Sequence, residues 1–160
     1  MNSSDTRRFG GINRLYGDAA RDKLAHAHVC IVGLGGVGSW CAEALARTGI
    51  GTLTLIDGDA VALSNVNRQL PALTSTIGRM KAEILAERAA DINPEARIHC
   101  VTEFVSAQNI DRLIPCGALL VDAIDSMDAK AHLIAWAREH EHRIIVSGGA
   151  GGRQDPTQIQ

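Results

Sequence analysis

Aromatic side chains are scarce in this chain: two Trp, two Phe and one Tyr among 160 residues. A surface that reads unpaired bases by stacking them on rings has few rings to use, although Phe9 and Tyr16 stand near the N-terminus. An excess of positive charge is missing as well. Sixteen Lys and Arg against eighteen Asp and Glu give a net charge of -2, whereas nucleic-acid binders carry a basic surplus. No DNA partner is expected, and only Arg7, Arg8, Arg14, Arg21 and Lys23 form a modestly basic stretch. The four cysteines, Cys30, Cys41, Cys100 and Cys116, make no C-x-x-C pair. Scattered thiols of this kind fit a reduced, cytoplasmic setting, and Cys30 and Cys41 read as small core residues. No apolar run approaches the roughly 18 residues that span a bilayer, and Met1 to Arg8 lacks the apolar centre of a signal peptide. None of the six histidines has metal-ligand spacing. Internal repeats, low-complexity tracts and linkers are not visible.

What is present suits one globular domain, with 46% apolar and 21% charged residues. Apolar runs near 28–33, 52–57, 97–101, 118–123 and 143–147 alternate with stretches of helical spacing at 37–48, 79–91, 107–114 and 127–140. A short helix is expected at 18–25. Uninterrupted apolar strands alternating with helices predict an α/β fold with a doubly wound, mostly parallel sheet of Rossmann type. Residues 1–27 read as an arm with a helix, and 28–160 as a nucleotide-binding domain. Ligands of such sheets lie beyond the carboxyl ends of the strands.

That edge carries the chemistry. Gly33-Leu34-Gly35-Gly36-Val37-Gly38 follows a strand and opens a helix, the context in which a G-x-G-x-x-G match has meaning. Gly33 and Gly35 permit a tight turn and close backbone approach to a phosphate, Gly36 lies in the same loop, and Gly38 permits close packing of helix on strand. The same glycines would also suit a bare strand-to-helix turn. Asp57 ends the second strand, where an acid holds a ribose. Asp59, Asn65, Arg68 and Gln69 follow within a dozen residues, more polar groups than one ribose needs. Arg68, with Lys81 near a helix start, supplies positive charge suited to a triphosphate. The cluster therefore points to ATP rather than NAD.

Read in order, Gly33-x-Gly35-Gly36-x-Gly38, Asp57-x-Asp59, Ser64-Asn65-x-x-Arg68-Gln69, Gly78-Arg79-x-Lys81, Ile92-Asn93-Pro94 and Asp122-Ala123-Ile124-Asp125-Ser126 resemble the ubiquitin-activating-enzyme-like adenylating superfamily. The resemblance runs from about residue 8 to about residue 152. Arg8-Phe9-Gly10-Gly11, Arg14-Leu15-Tyr16-Gly17, Ala44 to Gly51, and Gly148 to Gly152 with Asp155-Pro156-Thr157-Gln158 are most similar to its tRNA threonylcarbamoyladenosine dehydratase branch. This implies activation of a carboxylate by ATP and magnesium, with Asp125 serving the metal and Arg68 and Lys81 the phosphates. It also implies a homodimer in which Arg14 reaches the neighbour's phosphates, with Arg8 as the competing arginine. The implied substrate is a tRNA bearing N6-threonylcarbamoyladenosine at position 37, cyclised by loss of water without a catalytic cysteine. A sulfur-acceptor protein of the CsdE type is an implied partner. Proteins of this branch continue well past residue 160, so the chain is expected to be the nucleotide-binding part of a longer protein. An activator of a sulfur-carrier or ubiquitin-like protein, a noncatalytic scaffold and an NAD enzyme are the other readings of the same residues. Asp122 is expected to form a turn or a buried hydrogen bond.

Overall fold

The structure, a computed structural model, describes residues 7–148. Two short helices, α1 (Gly10–Tyr16) and α2 (Asp18–His26), precede a five-stranded sheet. Its strands are β1 (His28–Val32), β2 (Thr52–Ile56), β3 (Arg97–Val101), β4 (Leu119–Asp122) and β5 (Ile144–Val146). Helices α3 (Gly38–Thr48), α4 (Lys81–Ile92), α5 (Ile110–Leu113) and α6 (Met127–Glu139) connect them. Among the described residues every strand pairing in the sheet is parallel, and the order is β3-β2-β1-β4-β5. The chain thus reverses direction across the sheet between β1 and β4, which opens a crevice at their carboxyl ends.

Alternation along the strands sorts the core into two layers, because successive side chains leave opposite faces. Val29, Ile31, Leu53, Leu55 and Val121 pack with Ala42 and Ala46 of α3 and Ala82, Leu85 and Ala89 of α4. Cys30, Val32, Ile56 and Leu120 meet α5 and α6 through Ile110, Leu113, Leu133 and Ala137. Outside the first layer, Arg88 of α4 bonds both carboxylate oxygens of Glu43 on α3 at 2.5 and 2.9 Å, and Arg47 joins them. These cations hold the Glu43 carboxyl below its ordinary range, the Arg88 hydrogen bond first among the causes. Helix α3 stops at Gly49, whose φ of 84° is the left-handed cap that glycine adopts without strain. Phe9 closes over that same glycine and is buried, so one ring proposed for stacking belongs to the interior instead. Tyr16 remains exposed.

Three departures from the predicted elements have local causes. Gly10–Tyr16 is helical, although two adjacent glycines disguise it in the sequence. The stretch predicted at 107–114 narrows to the four residues of α5, because Asn109 folds back to bond the Ser106 amide and the Phe104 carbonyl. Residues 57–80 hold two single-turn helices, Leu63–Asn65 and Thr74–Thr76, built from polar residues whose side chains cap their own turns. No described helix is long and apolar enough to cross a membrane.

Candidate nucleotide site

Steric need accounts for the glycines. Gly33 has φ 87° and its α-carbon faces the next turn so closely that a β-carbon would lie 2.7 Å from the Ala123 carbonyl oxygen. A β-carbon on Gly38 would overlap the Gly33 carbonyl. Gly35 and Gly36 are different: added β-carbons would only approach the Gln69 amide at 3.7 Å and the Arg68 stem at 3.6 Å. Those two keep open the floor over which Arg68 and Gln69 lie.

Asp57 fastens the loop. Its Oδ2 accepts the Leu34 amide at 2.7 Å and its Oδ1 accepts the Asp59 amide at 2.7 Å, so one buried carboxylate joins the glycine loop to the turn after β2. Each oxygen keeps a further lone pair. Ser39, wholly buried, donates to the Gly35 carbonyl and accepts the Leu70 amide, while the Trp40 indole donates to the Arg68 carbonyl at 3.1 Å. Neither residue was among those expected from the sequence. Their signal was position alone, on the first turn after the last glycine.

The polar segment divides into scaffold and open groups. Asn65 Oδ1 accepts the Ala62 amide and its carbonyl receives the amides of Arg68 and Gln69. Arg68 is exposed, its guanidinium resting on the Ser64 carbonyl and Asn67 Oδ1. Gln69 is buried, and its Oε1 has no hydrogen-bond partner among the described residues. Lys81 begins α4 with its side chain 6% exposed, and its ammonium meets Asp59 Oδ2 at 2.9 Å. A buried ammonium beside an acid that is half in solvent can exchange that acid for another anion at small cost.

Asp125 is exposed on the turn after β4. Asp122, fully buried, meets the second alternative expected for it: Oδ1 accepts the Ile124 amide and Oδ2 the Lys130 ammonium at 2.6 Å. Lys130 was not anticipated, since a lysine on a helix four residues after a turn reads as a surface residue. Beside this turn a pocket of about 330 Å³ is walled by Val105, Ala129 and Leu133, with Ser106, Ser126 and His132 among its polar groups. Arg14 is exposed in the last turn of α1. Arg8 instead donates to the Ile92 carbonyl at the end of α4, at the opposite edge of the sheet from the glycine loop. The glycines at 149, 151 and 152, and the segment 155–158, lie outside the described residues.

Glycine loop, Asp57, Arg68, Lys81 and Asp125 thus gather on the carboxyl edge, where free amides and cations can receive an anion. Burial pushes the Cys30 thiol up to about 12 and also raises that of half-buried Cys41, which leaves neither as a ready nucleophile.

Comparison with known proteins agrees with this geometry. A tRNA threonylcarbamoyladenosine dehydratase of Escherichia coli strain K12 is 53% identical over 155 residues, 96% of this chain and 58% of that protein. One from Haemophilus influenzae is 49% identical over 96% of this chain and 59% of its own length. The chain therefore spans under three-fifths of these curated relatives. The solved structure of E. coli tRNA N6-threonylcarbamoyladenosine dehydratase, TcdA, in complex with ATP superposes with a TM-score of 0.94 at 51% identity, over 99% of this chain and 66% of that one. The ThiF family model matches residues 11–160. With its family model matching all but the first ten residues, the chain, a parallel five-stranded sheet with a glycine loop after its first strand, belongs to the ThiF family.

Proposed function

We propose that this chain is the adenylating part of an ATP-dependent tRNA threonylcarbamoyladenosine dehydratase, acting in the cytoplasm. Residues 28–160 form its adenylating domain and 1–27 its arm. The observation that carries the reading is the convergence of the glycine loop, Asp57, Arg68, Lys81 and Asp125 on one edge of a backbone so close to that of a dehydratase solved with ATP. Two features support nucleotide binding: a loop whose glycines leave room for a phosphate, and the unpartnered Gln69 oxygen beside Gly35, an acceptor free to take a hydroxyl or N–H of the nucleotide. Among the described residues no three metal-ligating side chains come together. A magnesium ion held by Asp125 would complete its shell from phosphates and water, its usual habit, and would supply neutralisation of phosphate charge.

The chemistry follows from the weakness of a carboxylate as an electrophile. The threonyl carboxylate oxygen attacks the α-phosphorus, the bond to the bridging oxygen breaks, and pyrophosphate departs. Arg68 and Lys81 stabilise the charge that grows on the phosphate oxygens, Lys81 by exchanging Asp59 for phosphate. An atom of the substrate's own urea group then attacks the acyl carbon, and AMP leaves with the carboxylate oxygen, so the net loss is water. Asp57 holds the ribose through its remaining lone pairs and Asn65 keeps the Arg68 turn in register. The pocket at Val105 and Leu133, which also presents Ser106, Ser126, Asp128 and His132, has the size and mixed lining for a purine base.

Arg14 completes the site of a second copy. Exposed Leu63, Val66 and Leu73 near Arg68 give such a homodimer apolar surface to bury, and a sulfur-acceptor protein of the CsdE type is a further partner on this reading. The test uses the full-length gene. Cells lacking it should lose cyclic threonylcarbamoyladenosine from tRNA, detected by mass spectrometry, and regain it on reintroduction. Unchanged tRNA, with pyrophosphate exchange that depends on a Gly-Gly-terminated carrier protein, would establish a sulfur-carrier activator instead.

A further inference from the structure

The ion pair between Lys130 and Asp122 lies outside the set of residues given roles above. Asp122 ends β4 with no exposure, and Lys130, on the second turn of α6, is 7% exposed. The ammonium reaches Asp122 Oδ2 at 2.6 Å and the Ser147 carbonyl at 3.1 Å. The Asp122 carbonyl in turn accepts the Ser147 amide at 2.9 Å. One cation therefore joins the carboxyl ends of two neighbouring strands to the helix that follows the first of them.

The opposite oxygen of the same carboxylate holds the turn that follows β4. Asp122 Oδ1 accepts the Ile124 amide at 3.0 Å, which sets the direction of the turn that ends in Asp125. The turn is seated on the glycine loop: the Ala123 amide donates to the Val32 carbonyl at 2.9 Å, and Ala123 lies against Gly33 and Gly38. Burying two charges is costly compared with a matched apolar pair. A brace made only for cohesion needs no charge, whereas a carboxylate that must serve an amide on one side and a cation on the other cannot be replaced by a hydrocarbon without freeing the turn.

We infer that Lys130 is a positioning residue for adenylation: through Asp122 it sets the turn carrying Asp125 against the glycine loop, and it touches neither nucleotide nor substrate. This rests on the proposed adenylating function. In the full-length enzyme, Lys130→Met should slow single-turnover cyclisation of threonylcarbamoyl-modified tRNA by tenfold or more. The decisive variant is the pair Asp122→Asn with Lys130→Met, which leaves no buried charge unpaired. It should melt near the parent and bind ATP within about threefold by calorimetry, yet turn over at least tenfold more slowly. A paired variant that matches the parent in turnover, or melts as far below it as Lys130→Met does, makes the ion pair a packing element and overturns the inference. If the parent itself fails to cyclise the tRNA with ATP, the proposed function falls, and the inference with it.

Discussion

Arg68 and Lys81 are held in different ways, and their substitutions should fail differently. Arg68 lies on the surface over Gly36, its guanidinium bonding only within its own turn, and its carbonyl, which takes the Trp40 indole, survives truncation, so Arg68→Ala should leave the melting temperature alone. Lys81 is buried and paired with Asp59, so Lys81→Ala should also cost some stability. For both, single-turnover cyclisation in the full-length enzyme should fall roughly a hundredfold, as when one transition-state donor is lost, with a smaller loss of ATP affinity. Near-parental rates for both would remove them from the site. Gly38→Ala is a sharper test of the loop, because its new methyl group would meet the Gly33 carbonyl, a backbone atom with no way to yield. Calorimetry should find no ATP binding, and the protein should melt well below its parent. Gly35→Ala, facing only the Gln69 amide at 3.7 Å, should be milder in both. The thiols complete the residue scale: at mildly alkaline pH peptide mapping should find exposed Cys116 alkylated first in the native protein, Cys100 more slowly because burial and then Glu83 raise its thiol, and Cys30, pushed up to about 12, only after unfolding.

Between elements, the contact open to the clearest test is Glu43 with Arg88 and Arg47, which joins α3 to α4 across the outside of the sheet. Because the folded carboxyl is held below its ordinary value of 4.5, its contribution is complete above that value and disappears as acid protonates the folded form. Glu43→Gln should lower the melting midpoint by about 3 °C at neutral pH. The difference between parent and variant should shrink on acidification below the carboxylate range; a gap that persists in acid would assign the loss to packing.

The same two helices show what could be read from the chain. Their apolar faces repeat at helical spacing, and Gly49 and Asn93-Pro94 mark their ends, so type and order were legible along with the parallel sheet. The glycine loop was legible because its chemistry is local: turn, strand and helix fit in one short window. Residues 63–77 were not, since single turns capped by Asn65 and Thr76 have no period to detect. Lys130 and Trp40 escaped for another reason, as their partners Asp122, Ser147 and Arg68 are brought to them only by tertiary packing.

Taken whole, the molecule has its arm rooted at one edge of the sheet and its candidate site at the other. Phe9 sits on Gly49 and Arg8 on the end of α4, both at the amino edge; service to a neighbouring copy is the role that the family resemblance proposes for Arg14. Sedimentation of the full-length protein at micromolar concentration should show a dimer, and mixing Arg14→Ala with a Lys81→Ala variant should return part of the activity that each lacks alone. An active monomer would remove Arg14 from the mechanism.

The position of β1 in the middle of the sheet has a consequence for how the protein is made. On one side it pairs with β2, Val29 opposite Leu53, and on the other with β4, Val29 opposite Leu119. The first partner is synthesised within seconds, whereas the second must await the whole excursion through α4, β3 and α5. A nascent chain arrested before β4 has one edge of β1 bare and the glycine loop without the Ala123 turn that closes it. Long-range parallel pairing of this kind is slow, and exposed while it waits. Nucleotide can therefore assist folding only late in translation, and chains stalled ahead of Asp122 should be the ones that chaperones retain.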